Sequence, residues 1–250
     1  MRRFDWTIVF GVAVGMAAIL GGAWFENLYL GFLWHPTAAM IVCGGTLGAV
    51  IVRRGVVGIT SAVRAVWSLR LISADEDEHS AERAKLAWLS RTAQKSGIKA
   101  FENYANGSND LLIVNGLILV ADSAKHEQIM EVLQRQLDVE DDRGLQDSAT
   151  LEAAGGFAPT FGILGAVLGL IGVLSVLDRP DKLGAGIAAA FVATIYGLGL
   201  ANLLFFPLAA RLRSRHEEYM KRRSELVSII LSLAAKETPR AIINQFNLPK

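Results

Sequence analysis

Four long apolar runs stand out along the chain, at 6–25, 36–52, 155–177 and 184–210, separated by polar stretches of very unequal length. Each has about the 17–25 residues that a helix needs to cross a bilayer. The pattern therefore predicts four transmembrane helices. A fifth run, LLIVNGLILVA at 111–121, is too short to span and carries Asn115 and Gly116. It predicts a buried helix in a water-exposed domain. Trp24 and Trp34 fall where interfacial aromatic residues anchor the first two spans. The first run follows Met1-Arg2-Arg3, but its length suits a retained span better than the short core of a cleaved signal.

The polar stretches carry the helical period. After the second span comes an amphipathic segment, VVGITSAVRAVWSLRLI, and then an acidic turn at Asp75-Glu76-Asp77-Glu78. Leu86, Leu89, Ala93, Ile98 and Phe101 then recur at helical spacing, as do Ile129, Val132, Leu133, Gln136 and Leu137. Alternating β-branched runs are few and no hairpin signal is present. The expected fold is an all-α membrane protein with four transmembrane helices and a large helical cytoplasmic domain between helices two and three. The expected division is helices one and two in 1–54, the cytoplasmic domain in 55–152, helices three and four in 153–212, and a helical tail in 213–250. The fourth span is expected to continue past Arg211 and to end before Pro239.

Composition agrees, with 52% hydrophobic residues and a mean hydropathy of +0.36, unusual for a soluble domain. Basic residues fix the orientation. Arg2 and Arg3 precede span one, Arg53 and Arg54 follow span two, and Arg211, Arg213 and Arg215 follow span four. The two opposite connections hold only Arg179 and Lys182, balanced by Glu26, Asp178 and Asp181. By the positive-inside rule, both termini and the 53–154 stretch are cytoplasmic. The single cysteine, Cys43, reads as a small buried apolar residue. Four scattered histidines, with no phosphate loop or nucleophile elbow, argue against an enzyme, a resident metal or any cofactor.

No Asp, Glu, Lys or Arg lies inside the four spans. Intramembrane ionisable groups usually mark ion paths. Either the protein conducts nothing, or the charged group arrives on another polypeptide. Spans three and four offer smooth faces. Ala158, Gly162, Gly165, Ala166, Gly169 and Gly172 share one side of span three, and Gly186, Ala190, Thr194, Gly197 and Ala201 one side of span four. Small residues let helix backbones approach closely in lipid. Two readings stay open: the faces pack on each other or between identical subunits, or they receive a partner helix that slides or rotates. Thr194 is the hydroxyl on the second face, although a lone membrane threonine more often bonds its own helix.

The order of parts, with FAPTFGILGAVLGLIGVL at 157–174 and GAGIAAAFVATIYGLGLANLLFFPLAARL at 184–212, resembles the stator A subunits of bacterial flagellar motors (the MotA/PomA type), relatives of the TolQ and ExbB energy-transducing channels. That resemblance implies a homopentamer in the bacterial inner membrane around two copies of a single-span B subunit (MotB/PomB type) whose aspartate carries the ion. Ion flow would turn the ring, and its cytoplasmic loops would push on a rotor or switch protein, with no role for nucleic acid. Pro159 and Pro207 match the family prolines at the cytoplasmic ends of helices three and four, where a missing backbone donor allows a hinge. Thr194 matches the family threonine beside the partner's aspartate, flanked by Ala190 and Gly197. Sodium-driven relatives carry further threonines where this chain has Ala166 and Ala193. A desolvated Na⁺ needs several oxygen ligands, so H⁺ is the expected ion. For the rotor contact, Lys95 and Glu102 match the family pattern, whereas Gln94 stands where arginine is usual and Arg91 is the candidate substitute. The alternatives are a TolQ/ExbB-like energiser of outer-membrane transport, disfavoured by the long insert, and a purely structural membrane scaffold.

Overall fold

A computed structural model describes residues 3–4, 6–26, 30–69, 71–72, 75–175, 177–178 and 180–246. Among them the helices are α1 (Thr7–Phe25), α2 (Pro36–Ala39), α3 (Gly45–Leu69), α4 (Asp75–Ser96), α5 (Lys99–Gly107), α6 (Leu111–Ala121), α7 (His126–Leu174), α8 (Pro180–Gly199), α9 (Phe206–Ala234) and α10 (Pro239–Gln245). Wider π-helical turns, Met40–Gly44 and Leu200–Phe205, join α2 to α3 and α8 to α9. The extended structure is one pairing of two-residue strands, Arg3–Phe4 antiparallel to Leu71–Ile72. Four helical stretches are long and apolar enough to cross a membrane, beginning at Thr7, Pro36, His126 and Leu183. The expected fold class holds.

Two compact units emerge, one from Arg3–Ile72 with Leu145–Ser214 and the other from Ser73–Gly144 with Arg215–Lys250. The first is the apolar unit. Its α1 buries no residue, and Phe10, Phe25, Ile171 and Phe191 point outward. Such a surface would be an aggregation hazard in water, but it suits lipid or a neighbouring membrane helix. Gly55 adopts φ +68°, a left-handed geometry that breaks α3 just after Arg53 and Arg54. Glycine takes this conformation at no steric cost, which makes it a frequent helix terminator. The amphipathic segment begins there, leaving Val57 and Trp67 exposed while Ala62 and Leu69 are buried.

The second unit has an ordinary hydrophobic core. Leu86 and Leu89 of α4, Leu112, Ile113 and Leu117 of α6, Ile129, Leu133 and Leu137 of α7, and Ile229 and Ile230 of α9 meet in it. The 111–121 run is thus a buried helix, capped at its N-terminus by the Asp110 carboxylate, which accepts a hydrogen bond from Leu112 N–H at 2.9 Å. Two positions expected on the apolar faces instead point outward: Ile98 sits in the turn between α4 and α5, and Val132 lies off the Ile129–Leu133–Leu137 stripe. Residues 145–154 contain neither Gly nor Pro, and α7 runs unbroken through Pro159.

One polar cluster ties three helices of this unit together. The Arg223 guanidinium on α9, only 7% exposed, donates to both carboxylate oxygens of Glu140 on α7, each at 2.9 Å. It also donates to both oxygens of Asp110, the cap of α6, one of them at 3.0 Å. Bidentate pairs of this kind are the strongest side-chain hydrogen bonds. Burial works against the arginine's charge, but the bonds to Asp110 and then Glu140 outweigh it and hold the guanidinium protonated. Beside it, His216 Nε2 lies 2.8 Å from Asp141, and its ring fills the space over Gly144, where a Cβ would come within 1.9 Å.

Two predictions follow from packing. Breaking a buried ion pair from one side costs roughly 3–5 kcal/mol, so Arg223→Met alone should lower the melting midpoint of the solubilised protein by several degrees. Arg223→Met combined with Asp110→Asn and Glu140→Gln should recover much of that loss. Equal midpoints for the single and triple variants would remove the charge argument. For the apolar unit, Gly197 faces only backbone: an added Cβ would lie 2.5 Å from Ala158 O and 3.1 Å from the Gly162 and Pro159 Cα atoms. Gly197→Ala should therefore destabilise by about 1–3 kcal/mol, whereas Gly172→Ala, with nothing within 4 Å, should not. Matching thermal melts for the two would contradict the close approach.

Candidate functional site

The site expected on spans three and four begins with the meeting of α7 and α8. Their small residues face each other. A Cβ on Gly162 would lie 2.9 Å from Ala193 O and 3.3 Å from the Cα atoms of Gly197 and Thr194. One on Gly165 would lie 2.8 Å from Ala193 Cβ, and one on Gly169 3.1–3.2 Å from Ala190. So the first of the two readings holds within the chain: these faces pack on each other. Two positions depart from the expected stripes. Gly172 lies outside the contact, and Ala193, assigned to neither face, sits at its centre with 1% exposure.

Thr194 lies at the edge of this seam, half-buried. Its hydroxyl is 3.5 Å from Ala190 O, one turn back, at the limit of a hydrogen bond. The oxygen is thus only loosely held by its own helix. Ala190 and Gly197 are buried, while Ala166 is half-buried. Thr194, Ala190, Ala193 and Gly197 therefore form one contiguous patch of α8 against α7, without a charged group.

Pro159 lies inside α7, one residue from Ala158 and packed close to Gly197. Pro207 lies in the first turn of α9, directly after the π-helical turn Leu200–Phe205. Proline cannot donate to the carbonyl four residues back and crowds it. A widened turn just before it absorbs that misfit, so the helix passes Pro207 instead of ending there. Pro207 thus follows an irregular turn in a continuous helical run, whereas Pro159 lies within unbroken α-helix.

One polar contact left no mark in the sequence pattern. The Tyr196 hydroxyl on α8 donates to Leu33 O and accepts a hydrogen bond from His35 N–H at 3.3 Å. It holds the turn before α2 against α8, next to the small core of Ala38, Val42, Val192 and Ala193. The usable signal was general: a tyrosine within a span must find a partner for its hydroxyl. Thr46 on α3 is also buried, and its hydroxyl has no hydrogen-bond partner among the described residues. Cys43, expected to be buried, is exposed in the π-helical turn.

The residues expected at a rotor contact lie in the second unit. Arg91 is exposed on α4, and Glu102 is exposed in the first turn of α5. Lys95 belongs to the last turn of α4, its side chain lying outside the described residues. Gly97, with φ +64°, makes the turn between the two helices. Among the described residues no group of His, Cys, Asp and Glu could hold a metal ion.

Residues 104–225 match the MotA/TolQ/ExbB proton channel family. The chain is 29% identical to Motility protein A of Bacillus subtilis (strain 168), over 95% of this chain and 88% of that protein. It is 28% identical to chemotaxis protein PomA of Vibrio alginolyticus, over 91% of this chain and 86% of the relative. Its fold superposes on a chain of the flagellar MotAB stator complex from Bacillus subtilis with a TM-score of 0.78, at 27% identity and covering 96% and 94% of the two chains. Four apolar spans, the interlocked third and fourth helices and these likenesses lead to one assignment: the chain carries a MotA/TolQ/ExbB proton channel family domain over residues 104–225.

Proposed function

We propose that this chain is the A-type stator subunit of a flagellar motor, working with a single-span B subunit that brings the ion-carrying carboxylate. One observation carries the reading: the four spans contain no Asp, Glu, Lys or Arg, although the family conducts protons. An ion path through hydrocarbon needs a polar or ionisable station. The matched MotAB complex supplies the precedent for a second polypeptide. A homopentamer around two B subunits accounts for an α1 that buries nothing within its own chain. The positive-inside pattern orients both termini and the second unit to the cytoplasm, with the protein in the bacterial inner membrane.

In this reading α7 and α8 form one rigid wall, and Thr194 at its edge offers a hydroxyl to the passing ion or to a water beside the partner's acid. H⁺ is the transported ion. A Na⁺ site would need a cluster of oxygens to replace lost water, but Ala193 is a methyl group locked against Gly165 and Ala166 adds no oxygen. Pro159 and Pro207 mark where the wall flexes as the ion passes. Arg91, Lys95 and Glu102 face the rotor.

Thr194→Val keeps the shape and removes the hydroxyl. It should reduce ion-driven rotation at least tenfold while leaving assembly with the B subunit intact; normal rotation speed in tethered cells would remove Thr194 from the path. Rotation should also follow the proton-motive force and ignore external Na⁺ at fixed proton-motive force. Speed that scales with Na⁺ would overturn the assignment of the ion.

A further inference from the structure

The second span does not simply end. After Val52 it carries Arg53 and Arg54, breaks at Gly55 with φ +68°, and resumes as helix to Leu69. The resumed helix has two sides. Ala62 and Leu69 are buried on one. Val56, Val57, Thr60, Val63, Arg64 and Trp67 are exposed, and their spacing puts them together on the other. Val57 is 81% exposed and Trp67 63%. The exposed Leu47, Ile51 and Val52 of the span come just before this strip. A helix with valines and a tryptophan turned outward at the end of a span fits the boundary between headgroups and acyl chains.

The two arginines at the break differ. Arg53 is exposed and Arg54 half-buried. Gly58, one turn on, makes room for the Arg54 stem: a Cβ there would lie 2.9 Å from Arg54 Cβ and 3.9 Å from Thr150 Oγ1 of α7. The Thr150 hydroxyl already donates to Gln146 O at 2.8 Å. Arg54 Nε is buried and has no hydrogen-bond partner among the described residues. An unbonded buried N–H on a charged group is costly, so an acceptor is missing. No acid of this unit supplies it. Residues 27–74 contain no Asp or Glu. On α7, Glu152 lies 2.8 Å from Arg213, and Asp147 makes no ion pair among the described residues. Glu26, Asp178 and Asp181 lie at the opposite ends of the spans. Arg53, Arg54 and Arg64 likewise have no ion-pair partner among the described residues.

We propose that Arg53 and Arg54 bind the phosphate of an anionic phospholipid in the leaflet where the second span ends, with the Val56, Val57, Val63 and Trp67 face seated against its acyl chains. Arg64, on that same face, adds positive charge beside the headgroup. A guanidinium offers phosphate a planar fork of N–H donors, and Nε–H with a neighbouring Nη–H is one edge of it. The adjoining apolar face selects a lipid over free phosphate, which has no chains to lay on it. General attraction of basic residues to the membrane depends on charge alone. Here the Gly55 break and the room at Gly58 also set where one arginine stem lies. In the orientation proposed above this is the cytoplasmic leaflet, whose anionic lipids attract basic clusters. The site stands whichever ion the protein couples.

The test takes the full chain, in the assembly it forms in the membrane, and reconstitutes it in nanodiscs of phosphatidylcholine and phosphatidylglycerol in equal parts. After transfer to mild detergent, native mass spectrometry counts the chain copies and the lipids retained. Wild type should keep phosphatidylglycerol at least fivefold over phosphatidylcholine, and excess inorganic phosphate should not displace it. Arg53→Gln/Arg54→Gln should abolish the preference. Gly58→Ala keeps every charge but crowds the Arg54 stem, and should lower the preference at least threefold. Should the arginine variant fail to assemble, Gly58→Ala alone decides. Equal retention of the two lipids by wild type, displacement by inorganic phosphate, or an unchanged preference in the arginine variant would overturn the site. So would a loss in the arginine variant with Gly58→Ala at wild type, which would leave only diffuse attraction. Fewer chain copies in the arginine variant, with the lipid preference kept, would put a second copy of the chain against these arginines in place of lipid.

Discussion

The contact between α7 and α8 is the constraint on which the apolar unit depends. At Gly162, Gly165, Gly169 and Gly197 the two helices come close enough that a single added methyl would collide with backbone or with Ala193. In lipid no hydrophobic effect holds helices together, so packing of this kind is the main force available. It has a structural cost: small residues contribute no polar group, so the wall is smooth but chemically bare. A wall of that kind can position an ion carried by another chain and can let that chain turn against it.

The second unit is built on the opposite physics. Its core is apolar and water-excluding, and its helices are registered by one arginine that reaches two carboxylates on two other helices. Buried charge networks contribute little net stability but penalise any arrangement that leaves one partner alone. Arg223 therefore fixes α6, α7 and α9 in one register. Burial raises the pKa of the neighbouring Tyr219, assisted by Glu140 and Asp110 against the lowering effect of Arg223, and keeps its hydroxyl protonated.

Much of this was legible in the sequence. Spans of about 20 apolar residues, the short buried run at 111–121 and the continuation of the last helix past Arg211 all follow from length, charge and period. The small-residue stripes were visible too, but their partner was not: periodicity reports a face, and Ala193 entered the seam from outside the stripe as drawn. Side chains that reach across the chain left no local trace. Tyr196 meets a turn more than 160 positions away, and Arg223 finds Asp110 at a separation of 113. A cavity of about 500 Å³ in the second unit was invisible for a related reason, since its walls come from α4, α5, α6, α7 and α9 and only their convergence reveals the missing volume.

The account's central claim is that this chain shapes an ion path but does not carry the charge in it. The most direct measurement is proton flux into liposomes under an imposed potential, comparing the chain alone with the chain assembled with its single-span partner. The account predicts no flux above that of empty liposomes for the chain alone, flux with the partner present, and its loss when the partner's membrane acid is replaced by its amide. Flux through the chain alone, or through the complex lacking that acid, would contradict it.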